Sequence, residues 1–64
     1  MPVIRLDIGK GITSDQKRQL IEKFTDAAVE ITRIPKPAFT VFIQEYDDEN
    51  CGVGGLTLDK VKKH

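Results

Sequence analysis

Apolar and polar residues alternate at the start of the chain, which is the pattern of a β-strand with one covered face. Ile4, Leu6 and Ile8 fall on one face of this strand. Arg5 and Asp7 fall on the other face. Glycine follows at once and breaks the run, so we predict a first strand that ends near Ile8.

The pattern then changes to the period of a helix. Thr13 and Gln16 match a capping box, in which each side chain accepts a hydrogen bond from the backbone of the other residue. Pro35 disfavours helical geometry in the residue before it, so the helix should end near Arg33. The apolar face is predicted to comprise Leu20, Ile21, Phe24, Ala27, Ala28 and Ile31. The polar face is predicted to comprise Lys17, Arg18, Glu22, Lys23, Asp26 and Glu30.

Residues 39–43 form a nearly continuous apolar run, which predicts a second strand covered on both faces. A strand, a helix and a strand make a βαβ unit, whose two strands run parallel. Further on, the glycines of residues 52–55 permit positive φ angles and predict a tight turn or small hairpin. We therefore predict an α/β fold, with a single domain over residues 1–64 built as a small βαβ subunit with a C-terminal hairpin arm. The basic tail from Lys60 to His64 should be solvated and frayed.

The length of the chain limits its core. A chain of 64 residues buries only about 60% of the surface that its unfolded form exposes, and two strands with one helix do not stand alone. Cys51 is the single cysteine and His64 the single histidine, so the sequence offers neither an internal disulfide nor a set of zinc ligands. Oligomerisation is the remaining source of stability, and we predict self-association.

Charge and hydropathy exclude several classes of partner. The ten basic and ten acidic residues cancel, which argues against nucleic acid or an anionic membrane surface as a partner. No apolar run approaches the length of a membrane span, and no signal-peptide pattern opens the chain. The sequence therefore predicts a cytoplasmic protein.

Pro2 is the most informative residue for function. Removal of Met1 would leave a free secondary amine at the head of the first strand. An α-amino group has an ordinary pKa near ~7.7–8.0, and burial disfavours its charged form, so this amine could be neutral near pH 7 and act as a general base. The alternative is that Pro2 only keeps the strand terminus from donating a ladder hydrogen bond.

Three other motifs carry weaker signals. Residues 52–55 lack the spacing and the following helix of a phosphate-binding loop. Residues 47–49 are acidic but lack the spacing of a calcium loop and are expected to be solvated. Cys51 has no histidine or helix N-terminus evidently near it to activate a thiol, so packing is the expected role.

Taken in order, these features resemble the 4-oxalocrotonate tautomerase family over nearly the whole chain. The resemblance implies an N-terminal proline as general base, no metal or cofactor, and proton transfer between a 2-hydroxydienoate or related enol of a small 2-oxo acid and its conjugated ketone. It also implies a homohexamer, built as a trimer of dimers, in which the hairpin arm reaches a neighbour. The matching features are Met1-Pro2, the helix opening at 14–17, Leu20-Ile21, Pro35, the second strand at 41–45, and the glycine arm at 52–55.

The sequence departs from that family at its binding positions. Ile12 and Thr40 stand where the best-studied members carry arginines, and Cys51 stands where they carry a phenylalanine. Because neither Ile nor Thr can form the bidentate fork of arginine, we expect poor handling of a dicarboxylate unless another cation substitutes. The predicted substrate-binding residues are Gly9, Ile12, Thr40 and Cys51. The candidate substitute cations are Lys10, Arg33 and Lys36. The alternative for each is a solvated charge on the surface.

Two alternatives to tautomerisation stay open at this point. Within the enzymes, an ammonium form of Pro2 could support hydrolytic dehalogenation or decarboxylation, although that chemistry also tends to need arginines. From another class, the chain could be a non-catalytic oligomeric module that keeps the fold and has lost the site.

Overall fold

The computed structural model describes residues 1–61, and its elements follow the predicted order. A parallel pair of strands flanks one long helix, and a short hairpin with a single helical turn follows. The elements are β1 (Val3–Gly9), α1 (Ser14–Thr32), β2 (Thr40–Tyr46), β3 (Gly52–Val53), β4 (Leu56–Thr57) and α2 (Leu58–Val61), with 3-10 turns at Lys36–Ala38 and Asp48–Asn50. Lys60 lies in α2 instead of a frayed tail, and the prediction for residues 62–64 lies outside the described residues.

The βαβ prediction is confirmed. β1 and β2 pair in parallel along their whole length, from Val3 opposite Thr40 to Gly9 opposite Tyr46. β2 begins one residue later than predicted and continues beyond residue 43, because the polar residues that follow still pair with β1. Pairing with a neighbouring strand of equal length extends β2 where its own apolar run has ended.

Both ends of α1 have the predicted local causes. The Gln16 N–H donates to Thr13 Oγ1 over 3.1 Å, and the Thr13 N–H donates to Gln16 Oε1 over 2.9 Å, which confirms the capping box. At the other end, Arg33 takes a left-handed conformation with φ 65°, and its N–H donates to the Val29 carbonyl over 2.9 Å. The helix therefore ends at Thr32, and its cap residue Arg33 lies two residues before Pro35.

The face that α1 turns toward the sheet is rotated from the predicted one. Thr25, which the prediction omitted, is the most buried residue at 8% exposure, and its hydroxyl donates to the Ile21 carbonyl over 2.7 Å. Lys17, predicted on the polar face, is half-buried and forms an ion pair with Glu45 of β2. Conversely, Ile31 of the predicted apolar face is 82% exposed. A sheet of two strands covers only part of the apolar surface of α1.

The two faces of the sheet also differ in burial. The half-buried residues Ile4, Leu6, Ile8, Val41, Ile43 and Glu45 alternate along the strands on the face over which α1 packs, whereas Val3, Arg5, Asp7 and Phe42 lie exposed on the opposite face. The prediction of a second strand covered on both faces is therefore wrong for the single subunit, since Phe42 is 53% exposed. Within residues 1–61, no apolar side chain is fully buried.

The C-terminal arm confirms the predicted hairpin. β3 and β4 pair antiparallel, and Gly54 and Gly55 take φ angles of 61° and 86° in the turn between them. The Leu58 N–H donates to the Cys51 carbonyl over 2.8 Å, which closes the base of the arm. The principal contacts of these elements are with one another, and the chain measures 44 × 24 × 16 Å. The arm is thus a unit that projects from the βαβ body.

Candidate active site

Pro2 and Thr40 lie together at one end of the sheet. The Pro2 carbonyl accepts a hydrogen bond from the Thr40 N–H over 3.2 Å, just before the first residue pair of the two strands. Pro2 is half-buried, whereas the Met1 in front of it is 95% exposed. The parallel strand register, which the residue spacing alone did not specify, brings these two predicted site residues into contact.

The remaining predicted site residues lie at the opposite end of the sheet. Gly9 closes β1 against Tyr46, and the Lys10 N–H donates to the Tyr46 carbonyl over 3.2 Å. Ile12 follows in the loop before α1, and Cys51 is half-buried at the base of the arm. At about 3.3 Å per residue, the length of β1 separates this group from Pro2 by roughly 20 Å. One subunit therefore does not bring Pro2 together with Gly9, Ile12 or Cys51.

Ile12 lines an open groove of about 270 Å³ beside the first turns of α1. Leu20 supplies the second apolar wall. Sequence reasoning missed the polar residues that line the groove, although the period of the helix places all of them on one side of α1. The polar lining residues are Gln16, Gln19 and Lys23.

The three candidate substitute cations differ in their surroundings. Lys10 Nζ lies 2.9 Å from an Asp47 carboxylate oxygen, and that hydrogen bond, with the carboxylate charge, raises the pKa of Lys10. Lys36 Nζ lies 3.2 Å from Asp26. Arg33 has no ion pair within the described part of the chain. Because α1 runs back along the sheet, Arg33 at its C-terminal end lies at the same end of the sheet as Pro2.

A hydrogen-bonded set of polar side chains lies on the face of the sheet opposite α1. The Tyr46 hydroxyl donates to Asp7 Oδ1 over 3.0 Å, and this hydrogen bond raises the pKa of Tyr46. Arg5 lies 3.8 Å from the same oxygen. Sequence reasoning missed the bond, although strand alternation and the parallel register place both partners on this face.

Comparison with known proteins places this geometry in a family. A family model described as tautomerase enzyme matches residues 2–60. The chain is 39% identical over 61 residues to a 2-hydroxymuconate tautomerase of Pseudomonas putida, covering 95% of this chain and 97% of the relative. TomN, a 4-oxalocrotonate tautomerase homologue in the tomaymycin biosynthetic pathway, superposes with a TM-score of 0.91 at 28% identity, covering 98% of this chain and 97% of that one. A heterohexamer 4-oxalocrotonate tautomerase from Chloroflexus aurantiacus shares the fold, with a TM-score of 0.86 at 24% identity over 97% of this chain and 100% of that one.

The chain therefore belongs to the tautomerase family. This membership and the names of the relatives support tautomerase activity, and hence an isomerase-type enzyme, in general terms. The fold, a βαβ unit with a C-terminal hairpin, is that of solved tautomerase homologues. Over residues 1–61, no helix combines the length and apolar character needed to cross a membrane.

Proposed function

We propose that this protein is a cofactor-independent tautomerase that moves a proton between the enol and conjugated keto forms of a small 2-oxo acid. Pro2, once Met1 is removed, is the general base. Its neutral amine accepts a proton from one position of the conjugated substrate and returns it to another, so the reaction has no net redox change and consumes no co-reactant. The amine must be neutral at the moment of proton transfer.

The surroundings of Pro2 carry this proposal. Met1 is almost fully exposed, so the peptide bond before Pro2 is open to an aminopeptidase. Pro2 itself is half-buried and held to β2 through its carbonyl. After cleavage the new amine would therefore be positioned by the strand, in a partly desolvated place that disfavours its charged form.

The complete site is proposed to form between subunits of a homohexamer. Pro2 and Thr40 of one subunit would face Gly9, Ile12 and Cys51 of neighbours, because a single subunit keeps these groups roughly 20 Å apart. Apolar walls with a few polar groups are the usual lining of a small-molecule site. Heterohexameric assembly of a protein with this fold supports self-association.

The experiment compares the mature protein with Pro2→Ala, both shown by intact mass to lack Met1. We expect Pro2→Ala to ketonise a simple enol such as phenylenolpyruvate far more slowly while keeping its helical circular dichroism. The kcat/KM of the unmodified protein should rise with pH as the ammonium of Pro2 deprotonates. Full activity in the processed variant would show that Pro2 is not the base.

The same preparation tests the alternative of a non-catalytic module. That alternative draws on Ile12 and Thr40, because neither can act as the arginine that a carboxylate substrate would favour. Complete retention of Met1 in the native organism, with no enol ketonisation by artificially matured protein, would support the module. With Met1 retained, the nitrogen of Pro2 is an amide and has no basic lone pair.

A further inference from the structure

Arg33 has an unusual backbone conformation for its residue type. It caps the C-terminus of α1 in the left-handed region, with φ 65° and ψ 13°. It is the one non-glycine residue with a positive φ angle in the part of the chain that the structure describes. Helices commonly end in this conformation, but usually with glycine, because a Cβ is disfavoured there. Strained backbone of this kind is concentrated at active sites and ligand-binding positions.

Hydrogen bonds hold the turn around Arg33 in place. The Arg33 N–H donates to the Val29 carbonyl over 2.9 Å. The Thr32 hydroxyl donates to the Ala28 carbonyl over 2.7 Å and accepts from the Ile34 N–H over 3.2 Å. These bonds fix the backbone on both sides of Arg33, so the side chain extends from a fixed point.

A short connection carries the chain from Arg33 to the strand beside Pro2. A 3-10 turn over residues 36–38 folds this connection and packs against α1. Thr40 then begins β2, and its N–H donates to the Pro2 carbonyl over 3.2 Å. Arg33 and Pro2 therefore lie at one end of the sheet, on either side of a hydrogen-bonded connection.

The charge of Arg33 is not neutralised by a neighbour. Arg33 is exposed and has no ion pair within residues 1–61. Glu30, three positions earlier, has the spacing of a helical ion pair, yet it does not pair with Arg33. Lys36, the other cation of the connection, lies 3.2 Å from Asp26. Of these two cations, Arg33 is the one whose charge is available to a ligand.

We infer that Arg33 binds the carboxylate of the substrate beside Pro2. Its guanidinium presents two parallel N–H donors to one carboxylate, which the side chains of Ile12 and Thr40 cannot do. Ile34, next to Arg33, is 37% exposed and offers apolar surface to the rest of the same molecule. One such cation beside apolar surface fits a monocarboxylate 2-oxo acid with an apolar substituent, such as an arylpyruvate enol.

The inference rests on the proposed function, so its first test measures binding without chemistry. The probes are cinnamate, an unreactive aromatic monocarboxylate, and cinnamamide, its uncharged counterpart, with calorimetry on protein that lacks Met1. Arg33→Gly should weaken cinnamate binding about 10- to 100-fold and leave cinnamamide binding within about twofold, because only the charged hydrogen bonds are lost. The same loss is expected in a Pro2→Ala background, whether or not Pro2 is the base. Equal binding of both probes by the unmodified protein would overturn the inference.

The second test separates KM from kcat with phenylenolpyruvate as substrate. Arg33→Gly should raise KM about 10- to 100-fold and change kcat less than about threefold, since the carboxylate is bound alike in the ground state and the transition state. Pro2→Ala should instead lower kcat, so a failure of the proposed base is distinguishable from a failure of the carboxylate site. A fall in kcat at unchanged KM in Arg33→Gly would contradict the assignment.

A purely structural role for Arg33 predicts other results. The last turn of α1 has no basic residue, so the charge of Arg33 would balance the partial negative charge at this helix end. Arg33→Gly removes that charge but relieves the left-handed backbone, so the midpoint of thermal unfolding should not fall. Arg33→Lys keeps the charge and should regain only part of the cinnamate affinity, because lysine is a point charge without the planar fork. A lower midpoint with unchanged cinnamate binding in Arg33→Gly would make the arginine structural.

Lys36→Gln is the matched comparison. It removes a cation from the same connection, but one that already lies beside Asp26. Cinnamate binding should therefore stay within about twofold of the unmodified protein. A loss in Lys36→Gln equal to that in Arg33→Gly would show that the general charge of this region, and not Arg33, attracts the carboxylate.

Discussion

The two ends of the sheet differ in what they offer a substrate. At one end, Pro2 and Thr40 share a backbone hydrogen bond. At the other end, Gly9 and Ile12 precede α1, and Cys51 lies at the base of the arm. The proposed base and the proposed apolar walls are therefore separated by the length of β1. Under the proposed mechanism, catalysis would therefore depend on how copies of the chain meet, because the base and the walls lie in separate regions of one subunit.

Blocking the amine of Pro2 chemically should have the largest effect. Protein that retains Met1 should lose enol ketonisation by about 10²–10⁴-fold, the usual contribution of a general base. A change at the other end, Cys51→Ala, should cost less than about tenfold, because it removes packing and leaves proton transfer intact. Stopped-flow absorbance of enol decay measures both. Equal losses would contradict the division of roles between the two ends.

A backbone change in the arm tests whether the second end is contributed by a neighbour. Gly55→Val places a β-branched residue at φ 86°, which costs about 1–2 kcal/mol in the folded arm. We expect weaker assembly by sedimentation and lower activity, although Pro2 is untouched. Gly52→Ala is the control, since its added Cβ would lie 3.7 Å from the Leu56 carbonyl oxygen, an ordinary contact. Loss of activity without loss of assembly would place the arm in a different role.

A change in substrate preference tests whether the two ends meet in the assembly. Thr40→Arg adds a bidentate donor beside Pro2, and kcat/KM for a dicarboxylate enol should rise about tenfold or more relative to a monocarboxylate. Ile12→Arg added to it should strengthen the preference if the two ends meet in the assembly. Steady-state kinetics on 2-hydroxymuconate and phenylenolpyruvate measure the ratio. If unmodified protein already prefers the dicarboxylate by orders of magnitude, another cation serves the site, and Arg33 is the first to replace.

The smallest effect is expected at the ion pair between Lys10 and Asp47. The hydrogen bond to the Asp47 carboxylate raises the pKa of Lys10. The pair therefore contributes its full stabilisation at neutral pH and up to about pH 10.4, the ordinary lysine pKa, and this stabilisation is lost as the pH rises through the raised pKa. Between pH 6 and 9, Lys10→Gln should therefore lower the urea midpoint by a small and constant amount. Both side chains are substantially exposed, which keeps the effect small. A shift that varies with pH in this range would contradict the assignment.

Local signals in the sequence predicted where the helix and the strands lie better than they predicted what packs against them. The capping residues Thr13 and Gln16, together with Pro35, set the ends of α1 through contacts within a few residues, and these predictions are confirmed. The prediction of which face of α1 packs on the sheet was wrong, because that face depends on the width of the sheet beneath the helix. Pairing with β1, a partner distant in sequence, extended β2 beyond its apolar run to Tyr46.

The candidate site was less accessible to sequence reasoning for a related reason. The contact between Pro2 and Thr40 follows from the parallel register, which residue spacing alone does not specify. The roles of Gly9, Ile12 and Cys51 remain predictions, because they depend on surfaces of separate copies. A periodic pattern reveals that a face is apolar without revealing whether the same chain or another one covers it.

The absence of a fully buried apolar side chain within residues 1–61 bears on how the protein responds to dilution. When burial is completed by association, folding free energy includes a mass-action contribution that grows with protein concentration. The midpoint of thermal unfolding should then climb as the protein is concentrated and fall as it is diluted. A newly made chain would gain much of its protection from proteolysis only after it meets other copies, so its lifetime in a cell would depend on its abundance.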